Sequence, residues 1–122
     1  KLGTLQKVLS QKKLVVGAAF YGRKFTNTAG IGQTATRVSS PAYHLIKRDY
    51  IDKGFTEQWD DVAKVPYIHD VENSIVLTYE NPRSIAEKSA YIKANNLGGM
   101  MIWQYGQDNT GTLIQAIYDT MK

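Results

Sequence analysis

Two continuous apolar runs constrain this chain more than any other feature. They are Leu14-Val15-Val16-Gly17-Ala18-Ala19-Phe20-Tyr21 and Gly98-Gly99-Met100-Met101-Ile102-Trp103. Neither alternates apolar with polar residues. A strand that is apolar on both faces is usually covered on both sides, as in a parallel sheet. Helical patterns flank the two runs. Leu2, Leu5, Val8 and Leu9 recur at helical spacing, so residues 2–11 read as a short amphipathic helix. Ser84-Ile85-Ala86-Glu87 has the capping-box form, and the helix it opens runs to Asn95-Asn96. Leu113, Ile114, Ile117, Tyr118 and Met121 fall on one face of a last helix. The order helix, strand, helix, strand, helix describes a strip of parallel α/β architecture.

An insert of different character interrupts the strip over residues 26–83. Thr26 to Ser40 is rich in Gly, Thr, Ser and Asn and reads as a loop or weak strands. Ser40-Pro41 predicts a helix with Ser40 as N-cap and Pro41 at the first helical position. Ala42, Leu45, Ile46 and Tyr50 give its apolar stripe and Gly54 its end. Phe55–Trp59, Val65–Ile68 and Ser74–Tyr79 then read as antiparallel strands, with Asp60-Asp61 and Asp70–Asn73 as turns. The predicted fold class is α+β: an antiparallel-sheet insertion domain with a helix, set into a βαβα strip. Phe55, Trp59, Tyr67, Ile75 and Leu77 are the expected core of the insert.

Composition excludes several classes of function. Fifteen Lys and Arg against eleven Asp and Glu give a net charge of +4, and the basic residues are scattered. That footprint is too thin for nucleic-acid binding. Without cysteine there is no disulfide framework, thiolate zinc site or cysteine nucleophile. No apolar run approaches the roughly 18 residues of a membrane span. His44 and His69 have no partner at ligand spacing, so no metal site is expected, and no cofactor. Lys1-Leu2-Gly3-Thr4 has neither an initiator methionine nor an apolar signal segment, and reads as the start of a processed or excised piece.

Ligands of parallel α/β folds meet the carboxyl ends of the strands. Phe20-Tyr21-Gly22-Arg23 closes the first run. A phenol and a guanidinium there either hydrogen-bond a polar ligand or serve packing and an ion pair. Trp103 ends the second run, as a flat floor for a sugar ring or as core. Two neighbouring strands that both finish in large amphipathic side chains favour a binding role. Trp59-Asp60-Asp61 reads as a charged turn beside a packed tryptophan, and Asp108 as a cap for the last helix.

Taken in order, these segments resemble family 18 glycoside hydrolases, the chitinases. Lys13 to Arg23 looks like the seventh strand of their (β/α)₈ barrel. Trp59 to Tyr67 looks like their insertion domain. Thr78-Tyr79-Glu80-Asn81 with Ser84 and Lys88 resembles the lead into the seventh helix. Leu97 to Trp103 resembles the eighth strand, with Gly106-Gln107-Asp108 after it. A whole barrel takes about 250 residues, so 122 residues correspond to its C-terminal part. The resemblance implies that residues 1–25 and 84–122 belong to the barrel and 26–83 to the insertion domain. It implies that Tyr21, Arg23 and Trp103 face bound sugar. Ala18-Ala19 departs from the family, which usually has a proline before the aromatic.

The family's acid lies in a D-x-x-D-x-D-x-E run on the fourth strand, and its sixth strand carries Met-x-Tyr-Asp. Neither occurs here: Asp49 and Asp52 share the first spacing, but Gly54 and Thr56 follow. In this family a glutamic acid protonates the leaving oxygen and the substrate's own acetamide attacks. The expectation is therefore a fragment of a chitinase-like enzyme acting on β-1,4-N-acetylglucosamine polymers, without a catalytic residue of its own. Part of a chitin-binding lectin and a self-standing interaction module built on the insert are the alternatives. The resemblance further implies a secreted or cell-envelope parent and chitin or N-acetylglucosamine oligosaccharides as ligand. Self-association through the open barrel edges is expected, with Val15, Val16, Met100 and Ile102 exposed.

Overall fold

A computed structural model describes residues 10–122. In chain order the elements are β1 (Val15–Ala19), β2 (Arg23–Thr26), β3 (Arg37–Ser39), α1 (Tyr43–Asp49), β4 (Gln58–Asp60), β5 (Val65–Asp70), β6 (Ile75–Thr78), α2 (Pro82–Ala94), β7 (Gly99–Trp103) and α3 (Thr112–Met121). Most of the helix expected over residues 2–11 lies outside the described residues; Gln11–Lys13 form a 3₁₀ turn.

The two apolar runs pair with each other. β1 and β7 form a two-stranded parallel sheet in the register Val15↔Gly99 through Ala19↔Trp103. Such a pair needs a crossover, and α2 lies on it. The remaining strands form an antiparallel sheet in the order β3-β2-β6-β5-β4. The stretch read as loop or weak strands thus supplies an edge strand, and Arg23 already belongs to the second sheet.

The parallel pair is covered on one face only. Val16, Met100 and Ile102 pack against the core, and Ala18 and Phe20 are buried in it. On the other face Val15, Met101 and Trp103 are 50%, 52% and 59% exposed. The expected double cover, and the expected exposure of Val16, Met100 and Ile102, are both corrected by this parity. α2 and α3 lie on a single side, and among the described residues nothing lies on the other.

One core joins both sheets. Ala18, Phe20, Ile85 and Leu113 from the strip meet Tyr43, Ile46, Ile68, Leu77 and Tyr79 from the antiparallel part. Each large side chain buried there contributes about 1.5–3 kcal/mol relative to exposure. The insert therefore has no separate core of the expected composition. Phe55 is 36% exposed, and Trp59, Tyr67 and Ile75 are only half-buried.

Both helix starts differ from the sequence expectation. α1 begins at Tyr43, with Ala42 as an N-cap that makes no side-chain bond. Ser40 and Pro41 stay outside the helix: Gly22 N donates to Pro41 O at 2.8 Å and Ala42 bridges Tyr21. α2 begins at Pro82, and Asn81, not Ser84, is its cap. Ser84 N donates to Asn81 Oδ1 and Asn81 N to Ser84 Oγ, each at 2.8 Å. Proline at the first helical position fixes this earlier start. In α3, Leu113 and Ala116 are buried, but Tyr118 is 64% exposed beneath the Lys122 ammonium. It sits too far round the helix to share their stripe.

Candidate functional site

The chain passes from one sheet to the other at Tyr21-Gly22-Arg23. Phe20 N donates to Trp103 O at 2.7 Å, and Tyr43 N donates to Phe20 O at 2.8 Å. The ends of both parallel strands are thereby fixed to the start of α1. Gly22 is required at this crossing: a Cβ there would stand 2.6 Å from Thr78 O and 2.6 Å from Ile46 Cδ1.

Tyr21 and Trp103 come together. They line an open depression of about 390 Å³ with Gly17, Ala18, Ala19 and Met101. Its floor is small and apolar, and its rim carries a phenol and an exposed indole. A second depression, of about 270 Å³, shares Ala19 and Tyr21 and continues past Gly22, Arg23 and Thr78 to Glu80 and Lys88. Arg23 is exposed, and no acid lies within ion-pair distance of it among the described residues. The packing-and-ion-pair alternative for Arg23 is therefore not what these residues form. Together the two depressions offer an aromatic surface, a phenol and a free guanidinium. They suit a ligand with a flat apolar face and hydroxyl or amide edges.

Behind this surface lie polar groups that the sequence did not single out as a unit. Glu80 is buried and pairs with the Lys88 ammonium, while its Oε1 has no hydrogen-bond partner. Lys88 Nζ also donates to Gly17 O at 3.0 Å. Tyr79 Oη donates to Glu57 Oε2 at 2.6 Å, and Asn81 Nδ2 donates to Glu57 Oε1 at 2.9 Å. Burial, and then this bond to Glu57, push the Tyr79 phenol well above its ordinary range. Burial first, with Asp108, Glu57 and Asp52 nearby, pushes Tyr43 up to about 12. The resemblance set Glu80 and Lys88 in one segment, the lead into a helix, and a lone acid before a helix cap with a lysine further along that helix is the local signal for their pairing.

The other candidates do not line either depression. Trp59 packs under Arg83, whose Cζ is 3.8 Å from the ring centroid. Asp60 Oδ1 accepts from Val62 N and Ala63 N at 2.9 and 3.0 Å, so this segment is the charged turn the sequence suggested. Asp108 Oδ2 accepts from Leu113 N at 2.7 Å and caps α3 from before its formal N-cap, Gly111. His44 Nδ1 bonds Gln107 O at 2.9 Å. Among the described residues no cluster of three His, Cys, Asp or Glu could hold a metal, and no helix is long and apolar enough to cross a membrane.

Comparison with known proteins shows the family and the fold. Chitinase A1 of Niallia circulans is 36% identical over 124 aligned positions, covering 91% of this chain and 18% of that protein. A family 18 N-acetylglucosaminidase from Paenibacillus barengoltzii superposes with a TM-score of 0.87 at 31% identity, over 98% of this chain and 37% of that one. A class V chitinase mutant from Cycas revoluta, solved with (GlcNAc)₃, superposes with a TM-score of 0.84 at 27% identity, over 97% of this chain and 36% of that one. The chain thus spans well under half of each. The family described as glycosyl hydrolases family 18 matches residues 3–108. With most of its length inside that match, the chain belongs to glycosyl hydrolase family 18.

Proposed function

We propose that this chain is the C-terminal part of a chitinase-like barrel and forms part of its sugar-binding surface. In this reading β1, α2, β7 and α3 are the end of the barrel. Residues 26–83 form the insertion domain that walls one side of the groove. Trp103 stacks against a sugar ring, and Tyr21 and Arg23 hydrogen-bond its polar edge. The parent hydrolyses β-1,4-linked N-acetylglucosamine polymers outside the cell, and this part carries no catalytic acid. The observation that carries the reading is the Ala19↔Trp103 register, which sets the 59%-exposed indole beside Tyr21 over one depression. Among the described residues none that lines this depression is a carboxylate, and the role proposed for it is binding. Relatives named as chitinases support the substrate class.

The two tryptophans give a direct test. In a titration of the chain with an N-acetylglucosamine trimer, the Trp103 indole N–H resonance shifts. That of Trp59, packed under Arg83 and not among the residues lining either depression, stays in place. W103A removes the response, and a fluorogenic chitobioside is not turned over. A Trp103 signal unmoved at millimolar trimer, or hydrolysis by the purified chain, contradicts the proposal.

A further inference from the structure

Beyond the groups that face the depression, we propose that His44 is a positioning residue for Trp103. The proposal rests on the sugar-binding reading above. After Trp103 and the single residue Gln104 comes a 3₁₀ turn, Tyr105–Gln107. Gln107 N donates to Gln104 O at 3.1 Å and Gln104 N to Gln107 Oε1 at 3.2 Å, so the turn closes on itself. One long-range side-chain bond, between residues 63 apart, then ties it to the rest of the molecule: His44 Nδ1 to Gln107 O, at 2.9 Å. A carbonyl only accepts, so Nδ1 carries the proton.

The position of His44 in the fold gives this bond its effect. It is the second residue of α1, and its neighbour Tyr43 donates its backbone N–H to Phe20 O. Phe20 N in turn bonds Trp103 O. The first turn of α1 therefore grips the Trp103 segment on both sides. It holds the strand end through Phe20 and the following turn through His44. The indole between them is 59% exposed. An exposed ring keeps a stacking geometry only if its backbone is held at both ends. His44 supplies the second hold, and it couples the antiparallel part of the molecule to the sugar floor.

The test compares H44A and H44N with the native chain. The asparagine amide can place an N–H near the imidazole Nδ1, so it keeps the donor without the ring. In H44A, amide exchange at Gln107 and Asp108 speeds up by about fivefold, the effect of losing one hydrogen bond of ordinary net strength. Binding of the N-acetylglucosamine trimer weakens by a similar factor. H44N restores both. Unchanged exchange in H44A overturns the proposal, as does faster exchange with unaltered affinity, or failure of H44N to rescue. If no version of the chain binds the trimer, the sugar-binding reading falls, and the exchange rates alone decide whether His44 holds the turn.

Discussion

Lys88 on α2 pairs with the buried carboxylate of Glu80 and also donates to the carbonyl of Gly17 on β1, at 3.0 Å. One ammonium thus joins the exit of the antiparallel sheet, the crossover helix and the strand that leads to Tyr21. Removing one partner of a buried pair strands the other charge, at a typical cost of about 3–5 kcal/mol. Lys88 retains 29% side-chain exposure, so the cost here is smaller. K88A is expected to lose about 2 kcal/mol, and E80L/K88A to recover part of it, because a buried pair is often replaced by apolar groups without loss. Urea unfolding of the two variants checks this. A K88A midpoint equal to native would show that the pair contributes nothing.

Alkaline pH should unfold the protein through its buried phenols. Tyr43 is raised to about 12 by burial and nearby carboxylates, and Tyr79 is raised further, by burial and its bond to Glu57. A raised folded-state value means that the unfolded chain gives up the proton first. The stabilising contribution is therefore complete below about pH 10, the ordinary tyrosine value. It falls as pH climbs through the folded-state values. Each such group contributes a slope of about 1.4 kcal/mol per pH unit once its unfolded form has ionised. Y43F should flatten the decline in unfolding free energy between pH 10 and 12. A decline equally steep in Y43F would exclude Tyr43 as its source.

Gly22 separates the two side chains proposed to meet the ligand, and its lack of a Cβ lets the backbone pass beside Thr78 and Ile46. G22A places a methyl 2.6 Å from a backbone oxygen, Thr78 O, and 2.6 Å from Ile46 Cδ1. The side chain can move but the ladder cannot do so freely, so a cost of about 1–3 kcal/mol is expected for this overpacking. Trimer binding should weaken along with it, because Tyr21 and Arg23 are displaced together. Thermal unfolding with a trimer titration reads both effects, and a fully stable G22A would mean that β2 and β6 separate more easily than their pairing implies.

The parts of the fold set by unbroken local pattern were legible in the sequence. Leu14–Tyr21 and Gly98–Trp103 contain no polar residue that could face water within a strand, and they pair as parallel neighbours. Where two local signals competed, the reading slipped by a few residues. Asn81-Pro82 and Ser84-x-x-Glu87 both look like helix starts, and proline decided for the first. Ser40-Pro41 was lost to a contact with Tyr21 and Gly22 that no short-range pattern carries. Which face of β1 is covered depends on where α2 and α3 lie, and a run apolar on both faces cannot say that. Tyr21 and Trp103 could be nominated because each closes one of the two apolar runs. The bond from His44 to Gln107 spans 63 positions and leaves no periodic trace.

The open side of the parallel pair gives the last prediction. The two-stranded sheet leaves one edge of β1 and one edge of β7 without a strand partner among the described residues. Leu14 and Phe20 use their backbone groups toward β7, so by alternation Gly17 faces the free edge. Lys88 covers the Gly17 carbonyl there, a charged guard of the kind that discourages edge pairing. It shields one acceptor and leaves the exposed face of Val15, Met101 and Trp103 untouched. Apolar patches of this sort usually acquire a partner when a surface larger than a few hundred Å² is open. The chain alone is expected to self-associate through this face at micromolar concentration. V15K, which sets a charge on this face outside the depression that Tyr21 and Trp103 line, should shift the population toward monomer. Light scattering with the trimer titration then separates two roles for the face: V15K should be smaller in solution and still bind sugar, because Val15 does not line the depression. A native chain that scatters as a clean monomer near 13.7 kDa would show that the face needs no cover, and the prediction would fail.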